Sequence, residues 1–170
     1  YVRDRLTGFD GEPSHRPVMA DRLAFPSYVA LKRAQSSGED RVSAMRAPSC
    51  CGPVAHRGPG PLQDELDAFA AALDAAMAGG ATAPRQTFVT SASPGIVAAA
   101  MDNRHYPDDL AYVDAVAEAM APEYRRIVEA GHVLQIDAPD LAMERHTRYA
   151  DQPLAAFLAF VERVVAAINR

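Results

Sequence analysis

The strongest candidates for chemistry in this sequence are two carboxylates three residues apart, Asp137 and Asp140, and the amide of Gln135 just before them. An Asp at the end of a strand can accept the ammonium group of an amino-acid substrate through charge-assisted hydrogen bonds. Asp140 could complete a carboxylate pair, one member neutral and the other ionised, for proton transfer. Each residue also has a plainer interpretation: Asp137 as a turn residue, Asp140 as a helix cap and Gln135 as an interior amide.

The sequence around these residues predicts the strand that positions them. Gly131 lies where a helix commonly ends in a left-handed residue, and the apolar run at 133–136 is typical of a short strand covered on both faces. Asp137 then lies at the carboxyl end of that strand, where parallel α/β folds place their chemistry. In a regular strand Gln135 and Asp137 point to the same side, so both could face a barrel interior.

Two further loops contain polar residues that could line a pocket. Ser91 and Ser93 follow a predicted strand at 86–90 and precede a Pro-Gly pair, so the backbone amides of this loop could face an anionic group. No phosphate-binding loop or nucleophile elbow is present, which argues against a serine hydrolase. Asn103 and Tyr106 belong to a polar and aromatic cluster in the next loop.

Three longer segments have the apolar periodicity of amphipathic helices. The first helix covers about residues 62–77 and stops at a Gly pair. The second covers about 110–127, and Asp108 can cap it. The third covers about 154–168, and Asp151 can cap it, with Pro in the first turn. The apolar face expected for the last helix consists of Leu154, Phe157 or Leu158, Val161, Val165 and Ile168.

The predicted elements alternate between strand and helix three times, with residues 50–56 as the end of the first strand. This alternation predicts an α/β fold of parallel βα units. Three units do not close a (β/α)8 barrel, which needs roughly 250 residues, so we expect a small open sheet or part of such a TIM barrel. One domain covers residues 1–170, and 11–49 form an irregular loop or lid with a short helix near 28–35.

Composition excludes several classes of function. The 170 residues carry 17 Lys and Arg against 22 Asp and Glu, a net charge of −5, so no basic surface indicates nucleic acid or an anionic membrane. No segment has transmembrane length, and no signal segment opens the chain. Adjacent Cys50 and Cys51 suit neither a mutual disulfide nor a zinc-ligand pair. Two thiols in a reducing compartment are the simpler interpretation, and a cytoplasmic location is expected.

Several blocks of sequence, taken together and in order, carry a family resemblance. They are Cys50-Cys51-Gly52-Pro53-Val54, Phe88 through Gly95, Asn103-Arg104-His105-Tyr106-Pro107, Met120-Ala121-Pro122-Glu123-Tyr124, and Leu134 through Ala142. The combination resembles the catalytic-domain family of cobalamin-independent methionine synthase, and more closely its shorter bacterial relatives. The resemblance extends along most of the chain, apart from residues 12–48.

The resemblance implies a (β/α)8 barrel related to uroporphyrinogen decarboxylase and a methyltransferase that acts on a thiol such as homocysteine. Asp137 matches the position that holds the substrate's amine in this family. The loops at 91–95 and 103–107 would shape the pocket. The methionine synthases carry a Glu directly after the strand-end Asp, whereas this chain has Ala138. This departure leaves the methyl donor open.

The resemblance also implies a zinc ion, held by His, Cys, Glu and Cys, that binds the thiol of the substrate in the complete enzyme. Those ligands belong to the later half of the family barrel, and none of them matches a motif in this chain. We therefore expect an incomplete part of the enzyme that is inactive alone and holds no metal. Its partners would be a small thiol or amino-acid substrate and the missing half of the barrel.

Two alternatives remain open at this stage. One is a different thiol alkyltransferase, or a decarboxylase, on the related barrel. The other is a non-catalytic half-barrel that assembles with a partner chain or with itself, because exposed strand edges and apolar faces favour association.

Overall fold

The computed structural model describes residues 2–12, 14, 20–35 and 47–169. Most of the elements in this part of the chain are helices, and two are strands. In chain order they are α1 (Val2–Arg5), α2 (Ala20–Leu23), α3 (Pro26–Gln35), α4 (Gly60–Ala78), β1 (Phe88–Ala92), α5 (Pro94–Ala100), α6 (Asp109–Glu129), β2 (Val133–Asp137), α7 (Asp140–Met143), a 3-10 turn (Glu144–His146) and α8 (Leu154–Ile168).

The two strands pair in parallel, with Phe88 opposite Val133 and Ala92 opposite Asp137. Helices α5 and α6 make the crossover between them. Parallel strands need such a long connection, since a tight hairpin can join only antiparallel neighbours. The predicted mixed α/β class with parallel pairing is therefore confirmed.

Local signals in the sequence explain where the crossover helices begin and end. The Asp108 side chain accepts a hydrogen bond from the backbone N–H of Ala111 and caps α6 as predicted. Gly131 follows the helix with a φ of 88°, a left-handed conformation in which a side chain would be strained. The chain then enters β2 directly, so the strand begins where the sequence predicts it.

The core lies mainly around α6. Its predicted apolar stripe is buried at Val113, Val116, Met120 and Ile127, whereas Leu110 at the start of the helix is exposed. Helices α5 and α8 pack against α6 on one side. A smaller cluster joins Leu62 and Leu66 of α4 to Ile127, with Val89 and Leu134 of the sheet packed against it. The strands are thus covered by helices on one face.

The expectation that β2 is covered on both faces is wrong. Leu134 and Ile136 are half-buried against the helical layer, but Val133, Gln135 and Asp137 are exposed. The strand alternates between half-buried and exposed residues, as its period of two requires, and its second face is exposed. An apolar run therefore identified the strand correctly but overstated its burial.

The face predicted for α8 is confirmed only in part. Phe157 is buried, and Val161 and Ile168 pack against the main core cluster as expected. Leu154 and Val165 are exposed instead, whereas Phe160 and Val164 are buried. This helix is apolar on nearly all sides, so periodicity alone cannot select the face that contacts α6. Its start differs as well, because Pro153 occupies the N-cap position and Asp151 makes no cap.

The first predicted strand, which was expected to end within residues 50–56, is not observed in the described part of the chain. Cys50 forms a single parallel bridge with Asn103, and His56 a single antiparallel bridge with Leu6, instead of a third named strand. The short helix expected near 28–35 is confirmed as α3. The loop or lid predicted for 11–49 lies partly outside the described residues.

Candidate functional site at the carboxyl ends of the strands

The open face of the sheet changes from apolar to polar toward the carboxyl ends of its strands. Because register partners in a parallel sheet share a face, three pairs lie there in succession: Phe88 with Val133, Thr90 with Gln135, and Ala92 with Asp137. In the last pair Asp137 is exposed, whereas Ala92 is half-buried and packs against the main core cluster. The structure thus places the predicted residues Gln135 and Asp137 together on one accessible surface.

Ser93 and Asp140 meet directly behind this edge. The Ser93 hydroxyl donates to Oδ1 of Asp140 over 2.5 Å and accepts from the backbone N–H of Ile96 over 2.9 Å. Both side chains are completely buried. The backbone N–H of Ser93 also donates to the carbonyl of Asp137 over 2.8 Å. Ser93 therefore joins the ends of both strands to α5 and α7.

Asp140 lies in an environment that disfavours its charge. Burial is the main cause that raises the pKa of this carboxyl, and the nearby carboxylates of Glu144 and Asp137 raise it further. The hydrogen bond from Ser93 acts in the opposite direction. Within the described part of the chain, Oδ2 of Asp140 has no hydrogen-bond partner. Asp140 is the first residue of α7, but its side chain bonds to Ser93 and does not cap the helix.

Ser91 points away from this edge, into the helical layer. Its hydroxyl donates to Oε1 of Glu123 over 2.9 Å, and Oε2 of Glu123 accepts from Nη1 of Arg5 over 3.0 Å. All three side chains are buried. Arg5 also pairs with the exposed Glu65 over 2.7 Å. Because Ser91 is turned to the covered face, it does not join Asp137.

Sequence reasoning gave no role to this buried ionic network. A signal for it exists, since Glu123 lies within the apolar stripe of α6, between Met120 and Ile127. A charged residue at such a position must find a partner when the stripe is buried. Its partner, Arg5, is far away in the sequence and could not be identified from spacing.

Asn103 and Tyr106 organise the loop before α6. The Asn103 side chain accepts from the backbone N–H of Tyr106 over 2.8 Å and donates to the carbonyls of Tyr106 and Asp108. The Tyr106 hydroxyl accepts from the backbone N–H of Val54 over 2.8 Å, and its ring stacks on Tyr112. Neither side chain hydrogen-bonds to Asp137 or Asp140. Their assignment to a substrate pocket stays a prediction.

Two clefts lie along α6, with volumes of about 230 Å³ and 440 Å³. They share His56 and Pro122 in their walls. The smaller cleft has charged walls, which include Glu123 and Arg126. Arg126 is already bonded to Gln63, over 2.5 Å from Nη2 to Oε1. Neither cleft includes a residue of the open sheet face.

The cysteines and His56 do not form a metal site. Cys50 is buried, its thiol donates to the carbonyl of Gly52, and burial raises its pKa, which opposes the thiolate form that binds zinc. Nδ1 of His56 accepts from the backbone N–H of Gly58. In the described ranges no group of three His, Cys, Asp or Glu side chains could hold a metal ion.

Comparison with known proteins adds no family to these observations. No family model matches the chain, and neither the curated proteins nor the solved structures contain a significant match. Among the helices of the described residues, none combines the length and the apolar character needed to cross a bilayer. Evidence for a function therefore comes from the site and from the residues of the sequence.

Proposed function

We propose that this chain is part of a (β/α)8 barrel of the methionine-synthase type, in which Asp137 binds the amine of a thiol substrate such as homocysteine for methyl transfer. The observation that carries the proposal is the open face of the parallel sheet. It has apolar residues at its amino end and Gln135 and Asp137 at its carboxyl end. The interior of a TIM barrel has this polarity, with a packed apolar centre and the binding residues at the carboxyl ends of the strands.

The family resemblance supports the choice of substrate. Asp137 matches the amine-binding position of the methionine synthases, and its side chain is exposed at the strand end. An ionised carboxylate there offers charge-assisted hydrogen bonds to an ammonium group. Gln135, two residues earlier on the same face, offers an amide to the same ligand. Holding the substrate in a fixed orientation toward its methyl donor would supply much of the rate.

The thiol-binding zinc of the family would have to be held by residues other than those described here. Cys50 does not suit a zinc site, because its thiol is buried and donates to the carbonyl of Gly52. Among the described residues, Cys51 and His56 belong to no group of three side chains that could hold a metal ion. We therefore assign no step of thiol activation to this chain. The roles proposed for its own residues are binding and orientation.

The proposal is tested by comparing homocysteine with 4-mercaptobutanoate, which lacks only the amine. We expect the full-length protein to bind homocysteine more tightly, because only homocysteine places an ammonium group on Asp137. Asp137→Asn should lose roughly 30-fold in affinity for homocysteine, about 2 kcal/mol for a charge-assisted hydrogen bond, and little for the analogue. Isothermal titration of both ligands, and methyl transfer to homocysteine, are the measurements.

The exposed Asp151 provides the matched control, since Asp151→Asn makes the same change of charge at a turn residue outside the strands. If Asp137→Asn leaves the preference for homocysteine unchanged, the amine assignment is wrong. If the wild-type protein neither binds nor methylates homocysteine, the methyltransferase itself is contradicted. Turnover of another thiol or of a carboxylic acid would then favour an alkyltransferase or decarboxylase.

A second candidate, a non-catalytic half-barrel that assembles with another chain, is favoured by the exposed apolar surface. Phe88 is 59% exposed on the open sheet face, and Leu154 is 57% exposed on α8. The two-stranded sheet also leaves both of its edges without a further strand among the described residues. The mass of the protein in solution, measured by sedimentation, distinguishes the two candidates: a stable monomer argues against this one.

A further inference from the structure

We propose that Asp140 is a positioning residue for the strand-end site: through Ser93 it fixes the carboxyl end of β2 and so the place of Asp137. The assignment of Asp137 to substrate binding rests on the proposed function. The mechanical link between Asp140, Ser93 and Asp137 does not, because it follows from the hydrogen bonds alone.

The link consists of three hydrogen bonds that meet at one residue. Ser93 donates its backbone N–H to the carbonyl of Asp137 and its hydroxyl to Oδ1 of Asp140, and the same hydroxyl accepts from Ile96. A serine hydroxyl has a single hydrogen to donate. Loss of the acceptor at Asp140 would therefore release the Ser93 hydroxyl, and Ser93 is bonded directly to the end of β2.

Close packing keeps Asp140 in this position. A Cβ atom added to Gly95 would come within 2.8 Å of Cγ of Asp140 and 2.8 Å of Cγ2 of Val164. Glycine is thus required for α5 to approach α7 and α8 so closely. Gly95 therefore packs directly against the carboxyl that accepts from Ser93.

Charged groups reach Asp140 from two directions. Asp137 at the end of β2 and Glu144 in the 3-10 turn both disfavour its ionisation, and Gly95 of α5 packs against the same carboxyl. Burial is the main reason that the folded protein holds a proton on Asp140 at a higher pH than an unfolded chain would. Protonation of Asp140 provides a way to perturb the link without a mutation.

The test follows the carboxyl carbons and backbone amides of the full chain by NMR during a pH titration. We expect Asp140 to titrate above the ordinary Asp value of about 3.9. We also expect the amides of Ser93 and Ile96 and the carbonyl of Asp137 to shift with the same midpoint. In Asp140→Asn, an uncharged isostere, this step should be absent while the spectrum stays dispersed. If these signals do not respond to Asp140 in the wild type, the proposal is overturned.

A second experiment tests whether the contact between Asp140 and Ser93 affects ligand binding. Asp140→Ala, which removes the acceptor for Ser93, should weaken homocysteine binding about tenfold or more, and Asp140→Asn should restore most of the loss. Equal binding by wild type and Asp140→Ala would contradict the positioning role. If the wild type does not bind homocysteine, the proposed function fails, and the NMR titration alone then decides whether Asp140 positions the strand end.

Discussion

The two faces of the β1–β2 sheet carry alternate residues of the same strands and yet have opposite environments. On the covered face, Leu134 packs against helices and Ser91 bonds to the buried Glu123. On the open face, Phe88 and Val133 are 59% and 41% exposed, and Gln135 and Asp137 lie free of the helical layer. The covered face is held by contacts with helices of the described chain, whereas the side chains of the open face are largely exposed.

The difference separates stability from function in this molecule. Residues of the covered face and of the network below it should determine whether the chain folds. Residues of the open face are available for a ligand or for further parts of a barrel, and the chain alone should tolerate their replacement. Mutations on the two faces test this contrast, because they are expected to change the free energy of unfolding by different amounts.

The largest expected loss of stability comes from Glu123→Ala. The substitution removes the buried carboxylate that binds Nη1 of Arg5 and the Ser91 hydroxyl. A buried charge deprived of its buried partner costs about 3–5 kcal/mol, which urea denaturation would measure. The matched control is Glu65→Ala, because Glu65 binds the same Arg5 but is 68% exposed. That control should cost less than about 1 kcal/mol. Equal losses in both variants would show that the buried network does not stabilise the fold.

The next effect compares one large apolar residue from each face. Leu134→Ala should cost about 2 kcal/mol because it leaves a void between the two core clusters. Phe88→Ala removes a larger side chain, but one that is mostly in water, and should cost less than about 1 kcal/mol. Thermal and urea unfolding of both variants would check the order. The reverse order would mean that the open face is covered in the folded protein.

Gly95→Ala tests the junction behind the strand ends. The added methyl group would collide with Asp140 and Val164, so we expect a loss of about 1–2 kcal/mol. Gly60→Ala is the control, since nothing lies within 4 Å of its added Cβ and the residue begins α4. Ala favours a helix over Gly, so this variant should be neutral or slightly more stable. A stable Gly95→Ala protein would show that the contact with Asp140 is loose.

Much of the fold could be predicted because its signals are local. The Asp108 cap and the end of α6 at Gly131 follow from residues near one another in the chain. The parallel pairing of the strands follows from the order of the elements, with helices between the two strands. The face of α8 could not be predicted in this way. Its apolar residues surround the helix, and only the position of α6 in space selects Phe160 and Val164 for burial.

The candidate site likewise contains some features that local sequence rules predict and others that depend on residues far apart in the chain. Gln135 and Asp137 could be placed on one face because alternation along a strand is a local rule. The Ser93–Asp140 contact joins residues 47 positions apart, and spacing in the sequence cannot show that their side chains meet. Ser91 looked equivalent to Ser93, but Ser91 lies within β1 on the covered face and bonds to Glu123, whereas Ser93 lies beyond the strand and caps α5.

The smallest expected effect is the one that tests the open face most directly. Val133→Thr keeps the shape and β-branching of the side chain, and its hydroxyl would be solvated on an exposed surface. Unfolding of the chain should change by less than about 0.5 kcal/mol. The same exchange on the covered face, Ile136→Thr, puts a hydroxyl among the apolar side chains of the core cluster and should cost about 1–3 kcal/mol. If Val133→Thr is as costly as Ile136→Thr, another part of the protein or a second chain covers the open face, and the surface assigned to substrate is an interface instead.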